Sequence, residues 1–178
     1  SLHGIGIPYY VDKFKAQVWA QDNRKKKESL AKKQLTADHE LTEGGALPFP
    51  DAHVFQFDPA KMAPYKGSEA VVVLETERAI VSCDAVQHMP TTDGCSFLAI
   101  LMMKMMNFFA PHNIGPGWLM VMKQDAKTMK GARPAVADEF ERLLKDESWD
   151  NLLPSHGVPS VNGKARNGLR ATVTRNGW

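Results

Sequence analysis

Residues 69–83, EAVVVLETERAIVSC, constrain the fold more than any other part of the chain. The run 69–75 is apolar and β-branched at its centre (Val71-Val72-Val73), Thr76-Glu77-Arg78 is a tight connection, and Ala79-Ile80-Val81-Ser82-Cys83 is a second apolar run. Together they predict a β-hairpin. A half-buried strand alternates apolar and polar residues, because successive side chains point to opposite faces of the sheet. These two strands do not alternate, so both sides of their sheet require cover.

The remaining chain reads as helices and strands in mixed order. Residues 9–19 (YYVDKFKAQVW) put Tyr10 and Phe14 on one face and end in Ala16-Gln17-Val18-Trp19, which predicts a short helix feeding a strand. The Lys-rich stretch 21–33 reads as a surface helix or an ordered loop. From Thr42 the pattern changes: Gly44-Gly45, Pro48 and Pro50 mark turns, and residues 53–57 (HVFQF) alternate as a half-buried strand. After the hairpin, residues 97–109 form a Met-rich run that is apolar almost all round, predicting a buried helix stopped by Pro111 and a Gly115-Pro116-Gly117 turn. Residues 134–145 predict an amphipathic helix with Val136, Phe140, Leu143 and Leu144 on its apolar side. A short strand at 150–154, a Ser155-His156-Gly157 turn and a basic closing helix at 164–175, fraying at Asn176-Gly177, complete the chain. No repeat or low-complexity linker divides it, so residues 1–178 are expected to form one domain.

The chain has 178 residues, 43% hydrophobic and 24% charged, enough to bury a core. Its net charge of +2 is too mild to imply a nucleic-acid partner, and the run Arg24-Lys25-Lys26-Lys27 with Lys32-Lys33 is expected to be a solvated helix face. Cys83 and Cys95 lack CxxC spacing and suit reduced thiols. No charged-then-apolar leader opens the chain, and the most apolar run is too short for a bilayer span of roughly 20 residues. A cytoplasmic or organellar-lumen location without a membrane span is the expectation.

The order of hairpin, Cys83-Asp84 at a strand end, apolar helix, amphipathic helix, short strand and Pro154-Ser155-His156-Gly157 resembles the C-terminal half of the metallo-β-lactamase superfamily. The resemblance is best over residues 42–178. It implies an α+β fold, an αββα sandwich of two sheets between helices, here incomplete at the N-terminus. In that family an Asp at such a strand end bridges two metals and a His in a late turn is the last ligand. The carry-over is Asp84 and His156 as ligands of zinc or iron, with His3 and His88 as weaker candidates. The family's HxHxDH motif is absent; the opening Leu2-His3-Gly4 keeps only His3 as a remnant, and His39 and His53 are poor matches to a further expected His.

Physical chemistry alone makes both positions reasonable. A carboxylate at the end of a buried strand must be solvated, hydrogen-bonded or metal-bound, and an imidazole on a Gly-flanked turn is well presented as a ligand. The alternatives are that Asp84 only caps the segment leading to the next helix and that His156 only bonds to backbone. The Met cluster Met102, Met103, Met105 and Met106 reads as adaptable core, though such a surface also suits a partner helix. No phosphate-binding Gly-rich loop and no G-x-S-x-G elbow are present.

Two functions fit these features. One is a metal-dependent hydrolase-like protein whose catalytic site is degenerate. The other is a non-catalytic binding or assembly subunit of the same fold, in which another copy or another protein covers the sheet edge and the Met-rich helix.

Overall fold

In the computed structural model, which describes residues 7–21, 24–57, 69–125 and 129–175 with the side chains of 24–26 and 121–133 outside the description, the chain divides after Gly45 into two units, Ser1–Gly45 and Ala46–Trp178. The division falls close to the change of pattern at Thr42.

The first unit contains α1 (Ile7–Phe14), β1 (Trp19–Ala20), α2 (Arg24–Ala31) and β2 (His39–Glu40). The helix feeding a strand and the Lys-rich helix are therefore present as expected. β1 and β2 pair in parallel, with Trp19 opposite His39 and their rings stacked at 4.3 Å. Asp38 fastens this pairing by accepting the Val18 N–H at 2.7 Å. Among the described residues of the unit, Val18 and Leu30 are the buried apolar side chains.

The second unit is built on a four-stranded sheet of order β3-β4-β5-β8, where β3 is Ala52–Gln56, β4 Ala70–Leu74, β5 Ala79–Ser82 and β8 Asn151–Pro154. The hairpin β4–β5 sits at its centre, antiparallel to β3 on one side and, through β5, parallel to β8 on the other. Two-residue strands β6 (Val86–Gln87) and β7 (Asn113–Ile114) pair beside it. The helices are α3 (Phe97–Met105), α4 (Pro116–Asp125), α5 (Met129–Lys145) and α6 (Ala165–Arg175).

The register explains how the apolar strands are covered. His53, Val73, Ile80 and Leu152 lie opposite one another across the four strands, and Phe55 faces Val71 on the same side. Phe55, Val71, Val73, Ile80 and Leu152 join one core with Trp118 of α4, Val136, Phe140, Leu143 and Leu144 of α5, and Leu169 and Val173 of α6. Phe57 and Phe140 lie 5.3 Å apart, and Trp118 and Phe140 meet edge to face at 5.9 Å. All four apolar residues expected on the helix at 134–145 are thus in the core. The opposite face carries Val72, Leu74 and Val81, which line a shallow apolar trough with Phe49 and Pro50. Val81 is 39% exposed, whereas Val54 on the same face is buried. The hairpin thus leaves apolar surface on this face of the sheet. The β8 edge is closed by the chain's own Ser160, which exchanges two backbone hydrogen bonds with Leu152 at 2.8 and 2.9 Å.

Three other expectations are corrected. The helix at 97–109 is not buried: α3 exposes Phe97 (84%), Leu98, Leu101, Met102 and Met105 (82%), so the Met cluster is not core. A helix apolar on every side presents no preferred face to a core, and the unit's core is filled chiefly by the patterned helices α5 and α6, with Trp118 from α4. Gly115-Pro116-Gly117 is not a turn but the start of α4, with Pro116 at the first helical position, where its missing N–H costs nothing. Finally, α5 begins at Met129, so Pro134 lies inside it instead of opening it. Asn176 and Gly177, where fraying was expected, lie outside the described residues. Neither Cys83 nor Cys95 forms a disulfide, and no helix of the described residues is long and apolar enough to cross a membrane.

Candidate functional site

Strands β5 and β8 run parallel in a register that pairs Ser82 with Pro154. Parallel pairing places both C-terminal strand ends at the same end of the sheet, so the loops that leave them emerge side by side. One loop carries Asp84 and the other His156, and their side chains meet with His156 Nε2 3.1 Å from Asp84 Oδ1. Both side chains are about one-third exposed, at 36% each. The two positions singled out in the sequence, 72 residues apart, are therefore neighbours.

The bend at 83–85 is held from within. Ser82 Oγ accepts the Val86 N–H at 3.0 Å, and Glu69 Oε1 accepts the N–H of Asp84 at 2.8 Å and of Ala85 at 2.9 Å. Burial of the Glu69 carboxyl raises its pKa to about 7; the nearby Asp84 charge adds to the rise, and the hydrogen bond from Ala85 opposes it. Glu69 was legible only as the first residue of the hairpin. A carboxylate opening an apolar strand was the available signal, and its partners across the hairpin could not be read from spacing.

Two glycines set how closely the loops approach. A Cβ on Gly115 would lie 1.7 Å from the Asp84 carbonyl oxygen, and the Gly115 N–H donates to Ala85 O at 2.9 Å. Gly157 has φ +98°, and a Cβ there would lie 1.9 Å from the His88 carbonyl oxygen. Neither position accommodates a side chain without displacing backbone. The segment 156–158 runs parallel to His88: His88 N donates to His156 O at 3.3 Å, and Val158 N donates to His88 O at 2.9 Å.

The His88 backbone is thus beside His156, while its ring lies against His112. The two rings stack at 4.4 Å, and His88 Nδ1 accepts the His112 N–H at 3.1 Å. An Nδ1 that accepts leaves the proton of the neutral ring on Nε2. His112 Nε2 lies 2.8 Å from Ser160 Oγ. Burial lowers the pKa of both histidines, and for His112 the neighbouring His88 lowers it further. The one other histidine of the second unit's sequence is employed elsewhere: His53 lies between Glu75 at 2.9 Å and Asp146 at 3.2 Å. His3 lies outside the described residues.

A catalytic zinc takes three protein ligands and keeps a fourth position for water. Among the described residues no group of three or more His, Cys, Asp and Glu side chains is placed to hold a metal ion. Asp84 and His156 supply two donors, and these two are engaged with each other. The described donor set does not fit a zinc or iron centre. An Asp–His pair of this exposure can hold and pass a proton, which is the chemistry these residues offer by themselves.

No protein-family model matches the chain, and no curated protein sequence matches it significantly. Among solved structures it is similar to VMB-1, with a TM-score of 0.52 at 13% identity, over 96% of this chain and 60% of that one. It is similar also to the DIM-1 metallo-β-lactamase exposed to ceftazidime, with a TM-score of 0.52 at 12% identity, over 97% of this chain and 63% of that one. The chain spans less than two thirds of the length of either structure. These likenesses, with helices packed on a mixed sheet, give this chain an α+β fold of the metallo-β-lactamase type over part of those structures' length.

Proposed function

We infer that this protein is a metallo-β-lactamase-fold, hydrolase-like protein whose metal centre is degenerate, and that it acts by binding. The observation that carries the reading is the Asp84–His156 contact at 3.1 Å in a setting where the described residues offer no third donor. Two donors bind a divalent ion far more weakly than three or four, and a charged hydrogen bond between them competes with the ion for both. Glu69, Gly115 and Gly157 build the loops that carry Asp84 and His156 independently of any metal.

A second reading, a metal-dependent hydrolase with Asp84 and His156 among its ligands, is favoured by the partial exposure of both side chains. In that case a bound metal would lower the pKa of a water and polarise an ester, amide or phosphoester. Metal analysis of the full chain, purified without chelator, separates the two. The degenerate-site reading expects no stoichiometric zinc, iron or manganese and an unchanged melting temperature on adding zinc. One metal per chain, lost together with thermal stabilisation in Asp84→Ala and His156→Ala, would replace it with the hydrolase reading.

A further inference from the structure

Helix α3 has a divided surface although nearly every residue of it is apolar. Ala99, Ile100 and Met103 are partly buried, whereas Phe97, Leu98, Leu101, Met102 and Met105 are exposed. Leu98, Leu101, Met102 and Met105 follow the spacing i, i+3, i+4, i+7, so they form one continuous stripe, with Phe97 alongside. This is the pattern of a helix seam directed away from its own domain.

We propose that this stripe is the contact between two copies of the chain, their α3 helices packing antiparallel about a two-fold axis beside Leu101. The size of the stripe supports a second copy. Exposed to the degree observed, these side chains together with Met106 offer on the order of 600 Å² of apolar area. Burial on both copies removes about 1,200 Å² in total, the lower bound of a specific interface. Left open, the same patch would be at the upper limit of what soluble monomers present.

The chemistry of the stripe supports a self-complementary partner. A two-fold axis beside Leu101 sets Phe97 of one copy opposite Met105 of the other, a favourable ring–thioether contact, and repeats it on the far side of the axis. Antiparallel helices also oppose their dipoles favourably. Nothing on the stripe calls for a partner of opposite charge, since Lys104 is the only Lys or Arg between residues 79 and 122. The same fact weighs against a lipid surface, because helices that lie in a membrane interface carry several basic residues on the polar face. Unbranched Met side chains let two identical, imperfectly matched surfaces repack onto each other.

The proposal names the partner of the binding reading above and rests on it for its purpose. Its test reads mass and not metal content, so the two fail separately. Sedimentation velocity of the full chain at micromolar concentrations should give twice the 19.8 kDa of the single chain, falling to the monomer on dilution. The double substitution Leu101→Glu/Met105→Glu should weaken association at least tenfold while leaving the melting temperature of the dilute monomer unchanged, because both side chains are exposed. A monomer at all those concentrations overturns the proposal. A dimer that survives the double substitution overturns it also, and so does a monomer that co-sediments with phosphatidylglycerol vesicles and loses them on the double substitution.

Discussion

Helices α3 and α5 lie in the same unit, and both are rich in large apolar residues, yet their fates are opposite. In α5 the apolar residues recur on one side, and Val136, Phe140, Leu143 and Leu144 are all 1% exposed or less. In α3 they occupy every side, and Phe97 and Met105 remain more than four-fifths exposed, at 84% and 82%. Between these two helices, hydrophobic content does not decide burial; periodicity does. A patterned helix can satisfy its polar face with water while one face fills the core. An unpatterned helix has no orientation that buries all of its surface within a unit of this size, so part of it must face outward.

The largest effect that would test this contrast is at Phe140, whose ring touches Phe57 and Trp118 in the core. Phe140→Ala is expected to cost about 3–5 kcal/mol, from lost transfer free energy and the cavity left behind. Urea unfolding of the dilute chain checks it against Phe97→Ala, expected to change stability by about 0.5 kcal/mol or less. Equal costs at the two sites would break the comparison, since Phe97 would then have to be covered within its own chain.

The strand-end loops belong with α5 in this respect, because they too depend on close internal packing. Glu69 makes that dependence pH-sensitive. Its folded pKa of about 7 lies above its ordinary value of 4.5, so the folded state holds a proton that the unfolded chain releases between those values. Stability from this group is complete below pH 4.5, falls as pH rises toward 7, and is constant above. Glu69→Gln keeps the oxygen that accepts the Asp84 and Ala85 N–H groups but does not titrate. The wild type should therefore lose up to about 3 kcal/mol relative to Glu69→Gln between pH 5 and 7. Thermal melts of both proteins across that range measure it. His88 and His112 act oppositely: their lowered values add stability that is present above pH 6.5 and lost as pH falls. Both proteins share those histidines, so their contribution cancels in the difference.

A smaller effect is expected at Gly157. Gly157→Ala combines an unfavourable positive φ with a Cβ directed at the His88 carbonyl, and should cost about 2 kcal/mol. NMR of the imidazoles should show His156 moved away from Asp84 while the α5 core is retained. The smallest effect sharpens the other side of the contrast: Met105→Gln, on the exposed stripe, should leave the unfolding free energy of the dilute monomer within about 0.5 kcal/mol.

Much of this molecule was legible in local pattern. The hairpin followed from two apolar runs around Thr76-Glu77-Arg78, the α5 stripe from a period near 3.6, and the juxtaposition of Asp84 and His156 from a resemblance in element order. What escaped depended on contacts distant in sequence. β6 and β7 are two residues each, too short to show any period, and exist because Val86 and Gln87 find Ile114 and Asn113. Pro116 reads as a turn residue in the sequence because Pro and Gly punctuate turns and helix starts alike. Glu69 gave no sign that it would reach across the hairpin to the Asp84 bend.

The amino-acid sequence by itself determined β3, the β4–β5 hairpin, β8 and the apolar face of α5, since those depend on the spacing of side chains along a regular backbone. Only the tertiary structure decided that one face of the sheet and one stripe of α3 remain open, that Glu69 supports the bend carrying Asp84, and that Asp84 and His156 bond to each other without a third donor among the described residues. Those outcomes depend on which surfaces are already occupied by other parts of the chain, and that competition is settled in three dimensions.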